Sequence, residues 1–228
     1  MKACVEKQRC RWVIGVVKIV PIVEGDGEVS AVPVLLRKIM EGLMRYDIEI
    51  ARPKSANGRA NLKKEGGLER FIKYSWKEPD CSAIFILLDA EGECPLEIAR
   101  EFSNRVESLG ILFPVVIVIA NRMYETWFLA SMKSIAGQLD LPENLQPPED
   151  VEAVGNPKAW INRHFPRGRA YKETQDQVAM THLIEIDLAR RSRSFQRLVH
   201  AIEQLLQAID TEAKFVTPVF SGEADGSQ

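Results

Sequence analysis

The sequence predicts an α/β protein: a mainly parallel sheet with helices on both faces, extended at its carboxyl side by further helices. Three observations predict it. Runs rich in Val, Ile and Leu recur at 13–23, 82–89 and 111–120 and read as strands buried on both faces. Segments of helical spacing separate them, the arrangement that parallel strands need. Past residue 141 the alternation stops, and Pro142, Pro147, Pro148 and Pro157 mark a connector before a helical remainder.

The elements follow in order. Residues 13–23 form the first strand. Residues 29–44 carry Val32, Leu35, Leu36, Ile39 and Leu43 at helical spacing, with Pro33 tolerated in the first turn. Residues 47–51 form a short strand, and 52–67, with Pro, Ser, Asn, Gly and many cations, a loop. A helix is expected over 68–76, a strand over 82–89, a helix over 96–109 and a strand over 111–120, where Pro114 is out of place in a central strand. Helices are expected over 123–135, 158–165, 175–188 and 194–209, and the polar end from 212 should fray. The expected organisation is an α/β core at 11–135, a helical extension packed on it at 136–210, and a flexible tail at 211–228.

Composition narrows the function. The chain has 228 residues, of which 46% are hydrophobic and 27% charged, with a formal net charge of -2. That suits a soluble globular protein and gives no global basic footprint for nucleic acid, so any such contact must come from local patches. Lys2, Lys7, Arg9 and Arg11 precede the first apolar run as in a signal peptide, but Lys18 interrupts the run and acidic residues follow it. No stretch reaches the ~20 apolar residues of a membrane span, so no membrane partner is expected. Cys4, Cys10, Cys81 and Cys94 lack zinc spacing and read as free thiols of a cytoplasmic protein. His164, His182 and His200 show no metal spacing either.

Two acidic clusters each follow a strand: Glu24-Gly25-Asp26-Gly27-Glu28, and Asp89-Ala90-Glu91-Gly92-Glu93. In open α/β sheets the carboxyl ends of the strands are where ligands bind. Carboxylates crowded there repel, and a hard divalent cation, Mg²⁺ or Mn²⁺, relieves them. Asp89 and Glu91 are two residues apart, so in an extended segment both would face one cation. Gly25, Gly27 and Gly92 permit tight turns and the close approach of a phosphate-bearing ligand. Glu125, after the third long strand, is either a further acidic group at this edge or a helix-start residue favoured by the dipole.

Two basic stretches could follow a phosphate backbone. Residues 52–77 hold eight cations, among them Arg59, Lys63 and Lys64, against two carboxylates. Residues 158–172 hold Lys158, Arg163, Arg167, Arg169 and Lys172 with no acid. The ordinary alternative for each is a solvated face. Arg190, Arg191, Arg193 and Arg197 could extend the patch or meet a partner's acidic face.

A buried strand, Glu24-Gly25, a helix and a second buried strand ending in Asp89-Ala90-Glu91 together resemble the Toprim fold. That fold serves topoisomerases, primases, recombination mediators and the nucleases coupled to ABC-type ATPases of the overcoming-lysogenization-defect type. The chain is more closely similar to a small prokaryotic Toprim-like family of unknown function found beside such ATPases in antiviral defence islands. That likeness rests on residues 23–25, 88–95, 124–130, 156–158, 171–172 and 192–195. The resemblance implies that Glu24 is the general acid/base of phosphoryl transfer. It implies that Asp89 and Glu91 are metal ligands, with Glu91 replacing the usual aspartate, and that Glu93 is an auxiliary ligand. Glu28 and Glu125 stand as further auxiliary candidates, and Tyr171-Lys172 would bring a cation near the phosphate. The implied activity is Mg²⁺-dependent cleavage of DNA or RNA with a partner ATPase of the AAA/ABC type, since no Walker sequence occurs here. The alternative is a non-catalytic interaction subunit of such a complex. A small-nucleotide binder or phosphatase-like enzyme fits the acidic clusters but not the basic stretches. Homo-oligomerisation is left open.

Overall fold

The computed structural model describes residues 17–217. The start of the expected first strand at 13–16, the start of the core at 11 and the tail from 218 onward lie outside the described residues. The elements are β1 (Val17–Val23), α1 (Asp26–Gly42), β2 (Ile48–Ile50), β3 (Lys54–Ser55), α2 (Ala60–Lys63), α3 (Gly67–Trp76), β4 (Cys81–Asp89), α4 (Pro95–Ser108), β5 (Val115–Ala120), α5 (Glu125–Ala130), α6 (Met132–Ile135) and α7 (Pro157–His164). A π-helical turn (Glu173–Gln177) then runs into α8 (Val178–Leu183), followed by α9 (Ile186–Ala189) and α10 (Arg193–Asp210).

All strand pairs are parallel, in the order β2-β1-β4-β5. The short β3 continues along β1 beyond β2, pairing Ile22 with Lys54 and Val23 with Ser55. The fold is therefore the parallel α/β architecture that the strand pattern predicts. One consequence governs function: every strand ends at the same edge, so the loops after β1, β3, β4 and β5 meet there.

Strand periodicity explains the two cores. In β4, Ala83, Phe85 and Leu87 join a cluster with α1, α5, α8 and α10, while Ile84, Ile86 and Leu88 join one with α3 and α4. Both faces are covered, which is why the strand reads as an unbroken apolar run. The helices after residue 156 share the first cluster: Ile161, Met180, Phe195 and Leu198 pack with Leu35 and Trp127. Buried Trp127 donates from Nε1 to Ser194 Oγ at 3.0 Å, tying α5 to α10.

Several segments differ from expectation for identifiable reasons. Helix α1 begins at Asp26, because Glu28 Oε2 accepts from Gly25 N at 2.6 Å and caps it there; Pro33 therefore lies inside the helix. Residues 52–67 are not a plain loop. The edge of β1 recruits β3, and Asn61 Nδ2 binds the carbonyls of Ala56 and Asn57 at 2.9 Å each to fold the turn before α2. Strand β5 starts only after Pro114. The helix expected over 175–188 breaks at Ile184 and Glu185, where Ser134 Oγ donates to Leu183 O (2.7 Å) and Ser131 Oγ accepts from Glu185 N (2.9 Å). Residues 215–217 return to the sheet: Val115 N donates to Phe215 O at 2.7 Å, and Val216 and Thr217 are buried.

Candidate functional site

The carboxyl ends of β1, β4 and β5 carry three carboxylates side by side. Glu24 directly follows β1, and its Oε1 accepts a hydrogen bond from Asp89 N at 2.8 Å, which joins the ends of two neighbouring strands. Asp89 closes β4, and its Oδ1 accepts from Tyr124 N at 2.9 Å, which joins it to the loop after β5. Glu125 follows Tyr124 as the first residue of α5 and is 0% exposed. Its Oε1 accepts from the Tyr171 hydroxyl at 2.9 Å and faces Lys158 Nζ at 3.9 Å; its buried Oε2 has no partner. Glu28, from the first turn of α1, reaches the same electrostatic neighbourhood.

Burial dominates the acidity of this row. It pushes Glu24 up to about 7 from an ordinary 4.5; the Asp89 N–H opposes the shift and Glu28 adds to it. Asp89 is raised well above its ordinary value by burial first, then by Glu125, Glu28 and Glu24. Glu125 and Glu28 are also raised by burial, with Lys158 pulling against the shift in both. Four carboxyl groups are therefore held in a place that disfavours their charge.

The second acidic cluster divides. Glu91 still reaches Glu24 electrostatically, adding a little to its raised pKa, but its side chain is directed to Arg59 rather than alongside Asp89. The Glu91 backbone is left-handed (φ 49°) and its N–H donates to Arg122 O at 2.7 Å, so the two-residue alternation ends with the strand. Its exposed carboxylate lies 3.2 Å from Arg59 Nη2. Glu93 is bound by Arg59 Nη2 (2.5 Å) and Lys63 Nζ (2.6 Å). Gly92 is left-handed too (φ 94°), a conformation that suits glycine. Arg59 is the centre of this turn, since its Nη1 also donates to Asp89 O (2.6 Å) and Ala90 O (3.1 Å). The side chain that sequence reading set against nucleic acid instead holds the chain that follows Asp89. Gly27 likewise has a different task from the expected phosphate approach. A Cβ there would lie 2.2 Å from Gln177 Oε1, so its space belongs to the π-helical turn.

The second basic stretch divides as well. Lys158, on α7, enters the acidic row, bound to Glu173 Oε1 at 2.6 Å. Arg169 stacks on Phe165 (4.4 Å) and pairs with Asp176 and Asp140, so it braces the extension. Arg167 and Lys172 are exposed. Lys64, also exposed, bonds Asn61 Oδ1 at 2.9 Å. The helical extension thus supplies three site side chains: Lys158, the Tyr171 hydroxyl and Glu173. The Tyr171–Glu125 contact joins residues 46 positions apart, and the Lys158–Glu173 pair residues 15 apart, so neither follows from local spacing.

The donor set suits a hard cation. Oxygen ligands from Glu24, Asp89, Glu125 and Glu28 are the type Mg²⁺ and Mn²⁺ take, and the orphaned Glu125 Oε2 is a buried acceptor without a donor. Among the described residues no group of three or more His, Cys, Asp or Glu side chains is placed so that it could hold a metal ion.

Fold and site define a parallel α/β protein with an acidic centre at the strands' carboxyl ends. The chain belongs to the family described as Domain of unknown function (DUF4276), whose model matches residues 23–203 and so spans every residue of this centre. No curated protein matches the chain. Among solved structures it is similar to the C-terminal region of the Burkholderia pseudomallei OLD protein, at 16% identity and a TM-score of 0.41, over 86% of this chain and 100% of that one. It is also similar to the C-terminal region of the Xanthomonas campestris pv. campestris OLD protein, at 18% identity and a TM-score of 0.31, over 87% of this chain and 97% of that one. No helix among the described residues is long and apolar enough to cross a membrane.

Proposed function

We propose that the chain is a Mg²⁺- or Mn²⁺-dependent nuclease of the Toprim type, cleaving phosphodiesters of DNA or RNA with an ATPase as partner. The observation that carries this reading is the carboxylate row across β1, β4 and β5, with Glu24 Oε1 bonded to Asp89 N and Glu125 Oε2 unpartnered. Asp89 and Glu125, with Glu28 and Glu24 beside them, would hold the cation. Bound there, the metal supplies positive charge against the scissile phosphate.

The chain's own groups do the rest. Glu24, which burial raises in the metal-free protein and a neighbouring cation would draw back down, would exchange a proton with the attacking or leaving oxygen. Its bond to Asp89 N fixes the distance between base and metal ligand. Tyr171 orients Glu125. Arg59 fixes the turn after Asp89, and Glu91 and Glu93 serve the site through that clamp. The exposed cations Lys64, Arg167 and Lys172 take up the nucleic-acid backbone. The ATPase rests on the sequence resemblance alone.

A second reading, a non-catalytic subunit of an ATPase complex, is favoured by one observation: the carboxylate of Glu91, a ligand in the resembling family, is turned to Arg59. Cleavage assays on labelled DNA and RNA separate the two. Mg²⁺-dependent cleavage that disappears in Asp89→Asn supports the nuclease. A wild-type protein inert toward both substrates, with its ATPase present, supports the second reading.

A further inference from the structure

We propose that the Lys158 ammonium is a displaceable counter-ion of the carboxylate row, and that a divalent cation enters by driving it out toward solvent with Glu173. The inference rests on the metal-site reading above and concerns how that site is regulated. Two cations attend the row, and they are held very differently. Arg59 is 11% exposed and bonded to two main-chain carbonyls and two carboxylates, so it cannot leave without unmaking the turn. Lys158 is 32% exposed and touches the row only at 3.9 Å from Glu125 Oε1. Its one short contact is with Glu173, itself 52% exposed.

The backbone under Lys158 is fixed while its side chain is not. Pro157 is buried, and Asn156 caps α7 by accepting from Ala159 N at 2.9 Å. Four rotatable bonds then let the ammonium swing outward with no change in the helix. From 3.9 Å beside Glu125, the charge of Lys158 is felt by Asp89 and Glu28 as well, so it does for the metal-free row part of what a bound cation would do. One ammonium is a poor match for that many buried carboxyl groups, and Glu125 Oε2 remains unpartnered beside it. A divalent ion offers twice the charge and reaches an oxygen that the lysine leaves unmet. Lys158 would keep the metal-free row from repelling itself apart, at the expense of weaker metal binding.

Mn²⁺ binding, read by calorimetry and by the EPR signal of free Mn²⁺, tests this in wild type, Lys158→Met and Asp89→Asn. Lys158→Met is expected to bind Mn²⁺ about tenfold more tightly or better, because one competing charge is gone. Its unfolding temperature should rise more than that of wild type on adding Mn²⁺. Equal or weaker affinity in folded Lys158→Met overturns the exchange and leaves the metal site standing. No Mn²⁺ binding in either protein overturns the metal site, and the exchange with it. Should Lys158→Met not fold, the Lys158 side-chain NMR signals of wild type answer the same question: they shift on saturation with Mg²⁺ if the ammonium leaves, and an unmoved signal overturns the exchange.

Discussion

Raising the pH should weaken the metal-free protein through the carboxylate row, and Glu24→Gln should remove a defined part of that loss. Glu24 titrates at about 7 in the fold against an ordinary 4.5. The fold favours its protonated form, so this stability is intact below the unfolded value and is lost as pH rises through the folded one. A shift of that size amounts to roughly 3 kcal/mol, of which roughly 2 kcal/mol falls between about pH 5.5 and 8. Asp89, Glu28 and Glu125 are raised as well and act with the same sign. The carboxyl groups held low by their partners, Asp47, Glu69, Glu78, Glu93 and Glu152, act in the opposite direction but only in more acid solution, outside this window. Urea unfolding in EDTA at constant ionic strength, in steps across the window, gives the slope. Wild type should lose stability steadily. Glu24→Gln keeps an oxygen for Asp89 N and should lose roughly 2 kcal/mol less. Flat or rising wild-type stability, or a variant that runs parallel to wild type, would refute the reasoning.

Two further outcomes are expected. Arg59→Met removes charged hydrogen bonds to the carbonyls of Asp89 and Ala90 and should cost about 2–4 kcal/mol in chemical unfolding, while its exposed pairs with Glu91 and Glu93 add little; a loss under about 0.5 kcal/mol would make Arg59 a loose surface cation. Neutralising exposed Lys64, Arg167 and Lys172 together should weaken nucleic-acid binding for all sequences and reduce its salt slope by up to about three, measured by fluorescence anisotropy; an unchanged slope would move the contact surface elsewhere.

The parts of this architecture legible in the sequence are those fixed by local pattern. Residues 83–88 read as a strand because both their faces are covered, leaving no polar alternation to confuse the period. Glu24 and Asp89 could be placed at one edge because parallel winding brings every strand end there. Their hydrogen bond is the direct result of β1 and β4 being neighbours. The side-chain directions were not legible. Glu91 looked like a partner of Asp89 by spacing, but a left-handed backbone at Glu91 turns it to Arg59, and no residue preference announces that in a glutamate. Arg59, Lys63 and Lys158 are cations in basic stretches, and charge alone could not separate a solvated lysine from one inserted among carboxylates. Gly27 signalled a close approach correctly in kind, but the approaching group is Gln177 from a turn 150 residues away. The resemblance sets Tyr171-Lys172 near the phosphate, but that the Tyr171 hydroxyl binds Glu125, and that Glu173 joins through Lys158, depends on the packing of the extension.

The central claim is that a divalent cation sits at the carboxyl ends of β1, β4 and β5. Crystals grown with Mn²⁺ and measured at a wavelength where manganese scatters anomalously test it most directly. The account requires an anomalous peak within about 2.0–2.6 Å of carboxylate oxygens from Asp89 and at least one of Glu24, Glu28 and Glu125, and its loss in Asp89→Asn. A peak centred instead on Glu91 and Glu93, or none at this edge at saturating Mn²⁺, would contradict it.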